Sequence, residues 1–146
     1  MNCRFLLARG AESTIVDLVV DRSPPVDPNA VEVDGVLVQP LREIVAGKLG
    51  ALLGRCEIRD FVDLHALIAH GLDLEAALRD AAHKDAGVSP AVLAWLLDGL
   101  RIGPDAVVPG RATPAQLEAF RKSIVQRLRT LSWPDEPRPG SRDSTR

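Results

Sequence analysis

Three groups of residues in this chain have types and spacing that suit chemistry. Lys48 lies in segment 41–53, LREIVAGKLGALL, where Leu41, Ile44, Val45, Leu49, Leu52 and Leu53 recur at helical spacing. It stands four residues after Ile44 and four before Leu52, so on a helix it falls inside the apolar stripe. An ammonium there must snorkel to water, pair with a carboxylate or face a cavity, because burying it unpaired is costly. Facing a cavity, it is a cation able to hold a nucleotide phosphate. Asp60 and Asp63 form the second group, in RDFVDLHALIA at 59–69. With Phe61, Leu64, Leu67 and Ile68 as the buried arc, Asp60 falls within the arc and Asp63 on its edge. Two readings stand: carboxylates that cap the helix start, the pair resembling a capping box, or members of a site. Asp17 is third, interrupting the run TIVDLVV at 14–20. A mid-strand Asp is disfavoured and costs free energy without partners. It is either an edge-strand residue facing water or a carboxylate near a Mg²⁺-bound nucleotide, since hard cations take oxygen ligands. Asp21 shares its strand face but sits beside a loop and reads as a solvated strand end.

Other candidates carry less. Cys3 and Cys56 have neither metal-ligand spacing nor a disulfide framework and read as reduced thiols. His65, His70 and His83 lack the spacing of a helical zinc pair. Lys84-Asp85 reads as a solvated turn after a helix. Residues 111–130 hold Arg111, Arg121, Lys122, Arg127 and Arg129 against Glu118. That basic stretch reads as a solvated helix face or a contact for RNA phosphates, without the interleaved aromatics that stack bases.

The elements that must position these residues follow from patterning. Residues 3–8 and 14–21 are apolar or β-branched and predict strands joined near Gly10-Ala11-Glu12. RSPPVDPN at 22–29 is a loop, and 31–40 predicts two short strands about Asp34-Gly35. The period then becomes helical. Helices are predicted over 41–53, over 59–69 with Gly71 as its stop, after the cap Asp73, after Ser89-Pro90, and from Thr113-Pro114 to about residue 131. The tail from 132 on, rich in Pro and Ser, predicts disorder. Strands followed by helices imply an α+β fold. The expected division is a β segment at 1–40, a helical domain at 41–131 and the tail at 132–146. So few strands make a poor sheet alone and would bury more apolar surface if further strands paired with them. With 146 residues, 46% hydrophobic, 26% charged and a net charge of −2, the chain fits one globular domain or a fragment of a larger one. It is no polycation with a global pull on nucleic acid, and no stretch approaches the roughly 20 apolar residues of a membrane span. A cytoplasmic location is expected.

The block Lys48-Leu49-Gly50-Ala51-Leu52, then Arg55, then Arg59-Asp60-Phe61-Val62-Asp63-Leu64 resembles the nucleotidyltransferase toxins of the AbiEii/AbiGii abortive-infection family. That family shows a Lys-Leu-x-Ala-Leu run, an Arg and then Arg-Asp-x-x-Asp-Leu. The Val16-Asp17-Leu18 strand and the stretch from Asp73 through Lys84-Asp85 to Ser89-Pro90 are also similar to it, so the resemblance covers about residues 5–131. It implies a polymerase-β-like nucleotidyltransferase fold, here a partial sheet followed by a helical bundle. It implies transfer of a nucleotide from NTP, with Mg²⁺, to a tRNA end or a protein. By position, Lys48 and Arg59 would bind the triphosphate, Asp63 and Asp60 would serve catalysis on the Arg-Asp-x-x-Asp helix, and Asp17 would hold metal. A toxin of this kind implies an antitoxin partner.

One departure is large. The family carries a Gly-Gly or Gly-Ser helix start and an Asp-x-Asp-type metal pair ahead of the Asp17 strand, and the 16 residues before Asp17 contain neither. Glu32-Val33-Asp34 comes after Asp17, on a predicted turn, and is no substitute. Three readings follow: a truncated member of the enzyme family; a non-catalytic helical module that binds an antitoxin or a separately encoded N-terminal half; and, behind these, a basic-helix RNA binder. Nucleotidyl transfer depends on metal ions that clamp the attacking and leaving oxygens. The polypeptide alone, incubated with labelled NTPs, Mg²⁺ and tRNA, is therefore expected to incorporate no label; robust labelling would overturn the truncation reading.

Overall fold

A computed structural model describes residues 2–20 and 22–132. The expectations for Asp21 and for the tail from 133 onward lie outside the described residues. Four strands come first: β1 (Asn2–Arg9), β2 (Glu12–Val19), β3 (Val31–Val33) and β4 (Val36–Val38). Five helices follow: α1 (Leu41–Gly54), α2 (Ile58–Ala69), α3 (Leu74–Lys84), α4 (Pro90–Gly99) and α5 (Pro114–Ser132). The fold is α+β with few strands, as the sequence predicts. Ser132, placed in the tail by the sequence reading, is the last residue of α5.

Turn chemistry builds both hairpins. β1 pairs antiparallel with β2 in a register that sets Arg9 opposite Glu12. The two-residue connection has Gly10 at φ 63, a conformation glycine adopts without steric penalty. β3 pairs with β4 across Asp34 and Gly35, whose φ values of 50 and 78 are the paired left-handed residues of a tight hairpin turn. The few antiparallel strands form two separate two-stranded sheets among the described residues. Alternation places Cys3, Phe5, Leu7, Val16 and Leu18 on one face of the first hairpin. Arg4, Leu6, Ile15, Asp17 and Val19 share the other. Phe5, Leu6, Leu7, Ile15, Leu18 and Val19 are all exposed, Leu6 by 72%. Neither hairpin packs broadly on the helices.

The helices carry the core, and their ends follow local rules. Asp73 accepts from the backbone N–H of Glu75 and Ala76 at the start of α3, and Ser89 accepts from Val92 N–H at the start of α4, with Pro90 in its first turn. α5 opens with a reciprocal box: Gln116 N–H donates to Thr113 Oγ1, and Thr113 N–H donates to Gln116 Oε1. α2 ends in a left-handed Gly71, with Leu72 N–H reaching back to the Leu67 carbonyl. α1 packs on α2 and α3, α4 packs on α5, and α1–α4 and α2–α5 contacts join the pairs. Leu49, Leu52, Phe61, Leu64, Leu74, Leu93, Leu97, Leu117 and Leu128 fill the interior. Phe61 meets Phe120 at 5.1 Å between ring centroids, locking α2 to α5.

Three of the cations in the basic stretch have partners. Arg121 bonds Glu118 twice and donates to the carbonyls of Leu97 and Asp98, satisfying the C-terminal end of α4. Arg129 pairs with Asp98, and Lys122 lies 3.7 Å from Glu118. Arg111, Lys122, Arg127 and Arg129 are exposed, as a solvated helix face requires.

Leu52 is fully buried where α1 meets the other helices. Leu52→Ala is expected to destabilise the helical part by about 2–5 kcal/mol, the range for a core leucine that leaves a cavity. Urea unfolding followed by helical circular dichroism checks this; a loss below 1 kcal/mol, on the order of a surface substitution, would contradict the packing described.

Candidate functional site

One ridge of α1 carries Glu43, Gly47, Ala51 and Arg55 at successive four-residue steps, with Ile44 and Lys48 beside it. Gly47 and Ala51 keep the middle of this ridge low. Together with Gln39, Asp60 and Lys84, these residues line an open depression of about 260 Å³ between α1, the first turn of α2 and the last turn of α3.

A buried carboxylate organises its far end. Asp60 is 0% exposed. Arg55 donates to it through Nε at 2.8 Å and Nη2 at 3.0 Å, a two-pronged grip. Lys48 Nζ stands 3.5 Å from Asp60 Oδ1 and 2.6 Å from Asp63 Oδ2. The connection between α1 and α2 makes this possible: Arg55 caps α1, and Cys56 takes a left-handed φ of 42. That sharp reversal turns the Arg55 side chain back onto a residue only five positions on. The helix-start reading of Asp60 and Asp63 is corrected here. Glu57 is the N-cap of α2 and makes no side-chain cap bond, while Asp60 is spent on Arg55 and Lys48.

Electrostatics follow from these contacts. The hydrogen bond to Asp63 is the main cause that holds the Lys48 ammonium above the ordinary lysine range; partial burial works against it, and the charges of Asp63 and Asp60 add to it. Lys48 is therefore a cation at neutral pH, 32% exposed along its side chain. For Asp60, burial by itself pushes the carboxyl upward, but the Arg55 hydrogen bonds and charge, with Lys48, outweigh it and leave the group below the ordinary carboxylate range.

At the near end, Glu43 is buried and accepts from Lys84 Nζ. Lys84, read from sequence as part of a solvated turn, is in fact largely buried. The Lys84 hydrogen bond is the main cause that lowers the Glu43 carboxyl against the opposing effect of burial, and the backbone N–H groups of Val26 and Asp27 lower it further.

The sequence-derived candidates thus separate. Lys48, Asp60 and Asp63 come together. Arg59 is exposed, pairs with Glu57 at 2.6 Å and does not line the depression. Asp17 lies on the first hairpin, held by Arg4 at 2.6 and 2.9 Å, and does not line it either. Glu43, Arg55 and Lys84 belong to the site but were not singled out as site residues. Arg55 appeared only inside the resemblance motif, and its five-residue step to Asp60 across a turn follows no helical period. Glu43 and Lys84 are 41 residues apart, so no local pattern links them.

The described residues do not assemble a donor set that fits Mg²⁺. Asp60 is committed to two cations and Asp17 to Arg4, and no group of three or more His, Cys, Asp or Glu that could hold a metal ion is found among the described residues.

Asp60→Asn keeps the shape but removes the charge that holds Arg55 and Lys48. It is expected to lower stability at neutral pH by about 1–3 kcal/mol, the range for a buried charge-assisted hydrogen bond. Because the folded-state pKa of Asp60 is depressed, its contribution is fully present above the unfolded value of about 4 and is lost as pH falls through the lower folded value. The stability gap between wild type and variant should therefore narrow below about pH 4. Urea titrations across that range decide it; a gap of constant size would remove Asp60 from the centre of the cluster.

No curated protein and no solved structure matches the chain. Among the described residues no helix is long and apolar enough to cross a membrane. One family model does match, described as nucleotidyl transferase AbiEii toxin of a type IV toxin–antitoxin system, and it spans residues 10–143. That span takes in β2 with Asp17, both loops and every helix that builds the Lys48 depression, so the chain belongs to the AbiEii nucleotidyl transferase toxin family.

Proposed function

We propose that the chain is the phosphate-gripping part of a nucleotidyl transferase, in which Lys48 and Arg55 hold the triphosphate of an NTP over the α1 depression. The observation that carries the reading is the Lys48 ammonium, 2.6 Å from Asp63 and 3.5 Å from buried Asp60, at the rim of an open depression that also admits Arg55. Two cations oriented by a buried carboxylate lose little freedom when an anion arrives, which is the condition for strong charge-assisted hydrogen bonds. Arg55 takes the role that sequence position alone would give to Arg59, since it faces the depression. Asp63 sets the direction of the ammonium, and Asp60 holds both cations. Asp17 is read as one acid of a site whose other carboxylates come with strands that pair with the first hairpin. Those strands would also cover its exposed apolar faces. Alone, the described chain binds nucleotide without transferring it. The acceptor, a tRNA end or a protein, and an antitoxin partner belong to the same reading through the family.

A second reading has its own observation. Both faces of the first hairpin are apolar and exposed, which suits a chain whose role is to dock a partner, an antitoxin or an N-terminal half.

Lys48→Met keeps the stem and deletes the charge. NTP affinity, measured by calorimetry below the unfolding range of the variant, is expected to fall roughly 10-fold or more, matching the loss of a hydrogen bond to a charged group, and the melting temperature falls as well because buried Asp60 loses one of its two cations. Equal affinity for variant and wild type would overturn the phosphate role, and absence of NTP binding by the wild-type chain would favour the docking reading.

A further inference from the structure

The first hairpin and the helices touch little, yet the proposed function needs Asp17 to be presented to the Lys48 depression in a defined way. The chain between them includes the loop 22–30 and the second hairpin, and that loop is tied down at one place by a buried group. Glu43 Oε2 accepts from the backbone N–H of Val26 at 2.8 Å and of Asp27 at 3.2 Å. Its Oε1 accepts from Lys84 Nζ at the end of α3. Val26 packs against the helical core beside it. Pro24, Pro25 and Pro28 flank the two bonded amides, so the loop has restricted backbone freedom once these are held. One side chain therefore ties together the loop, the first turn of α1 and the last turn of α3.

We infer that Glu43 is a positioning residue: the Glu43–Lys84 pair pins the Val26–Asp27 segment to the helical bundle and so limits how far the strand bearing Asp17 can lie from it to the span of residues 20–25. Two facts separate this from a plain core contact. A buried ion pair contributes little net stability compared with apolar residues of similar volume, so packing alone does not call for one at this place. And both carboxylate oxygens are used, one on the side chain from α3 and the other on loop backbone. Glu43 also lines the depression that holds Lys48, so the pin and the proposed phosphate site share a wall. The consequence for Asp17 rests on the proposed function, but the pin itself does not.

The test is amide hydrogen exchange on the full chain without nucleotide, so its outcome is independent of whether NTP binds. The variant is the double Glu43→Met, Lys84→Met, which removes the acceptor without stranding a buried charge; Glu43→Gln serves as the second, near-isosteric variant. In the double variant, exchange at Val26 and Asp27 is expected to accelerate roughly 10-fold or more, while amides in the middle of α1 and α3 keep their protection. In Glu43→Gln, one carboxamide oxygen remains as an acceptor, and an intermediate acceleration at the same two amides is expected. Unchanged exchange at Val26 and Asp27 in the double variant would overturn the pin. So would uniform acceleration across α1 and α3 in both variants, which would make Glu43 a general stability contact.

Discussion

The buried carboxylate of Asp60 is the constraint on which the site depends. A carboxylate with no exposed surface is tolerated only when its lone pairs and its charge are answered. Arg55 answers it from the end of α1, Lys48 from about two turns earlier on the same helix, and the chain reverses tightly at Cys56 between them and Asp60. The consequence runs both ways. The electrostatic need of Asp60 fixes the angle between α1 and α2, and the fixed angle leaves Lys48 and Arg55 pointing at one depression. Fold and candidate chemistry are here the same interaction, since the group that closes the turn also orients the cations.

This explains what could be read without coordinates. The helices, their caps and both hairpin turns follow from rules that act over a few residues: Asp73, Ser89 and Thr113 satisfy N–H groups two or three positions away, and Gly10, Gly35 and Gly71 supply backbone angles on the spot. Lys48 was recognisable because its position violates the polarity of its own helix face. Arg55 and the Glu43–Lys84 pair were not. Their partners lie across a non-helical turn or 41 residues along the chain, and a charged residue near a helix end looks the same whether water or another helix receives it. The basic stretch reads correctly as a largely solvated face, but the partner of Arg121 and Arg129 was not legible, because Asp98 belongs to a different helix.

The two parts of the chain differ in how far they satisfy themselves. The helical part has a contiguous apolar interior, side-chain caps at the starts of α3, α4 and α5 and, among the described residues, no buried side-chain polar atom left without a hydrogen bond. The β part has the opposite character, with apolar side chains exposed on both faces of a two-stranded ribbon, and such ribbons are marginal by themselves. A strand with exposed apolar residues on both faces leaves apolar surface in water that the helices, which hardly touch it, do not cover.

The magnitudes also distinguish the three candidate carboxylates. Asp60 is fully buried between two cations, and withdrawing it strands both, so it is a fixed part of the scaffold. Asp63 holds Lys48 from a half-exposed position, where water reaches the pair, so it binds the ammonium less exclusively than buried Asp60 binds its cations. Asp17 pairs with Arg4 on an open strand, an exposed arrangement that adds little to stability and weakens with salt. The hold of Arg4 on Asp17 is thus that of an exposed surface pair, the weakest of the three, and Asp17 is the only one of the three acids outside the Lys48 cluster.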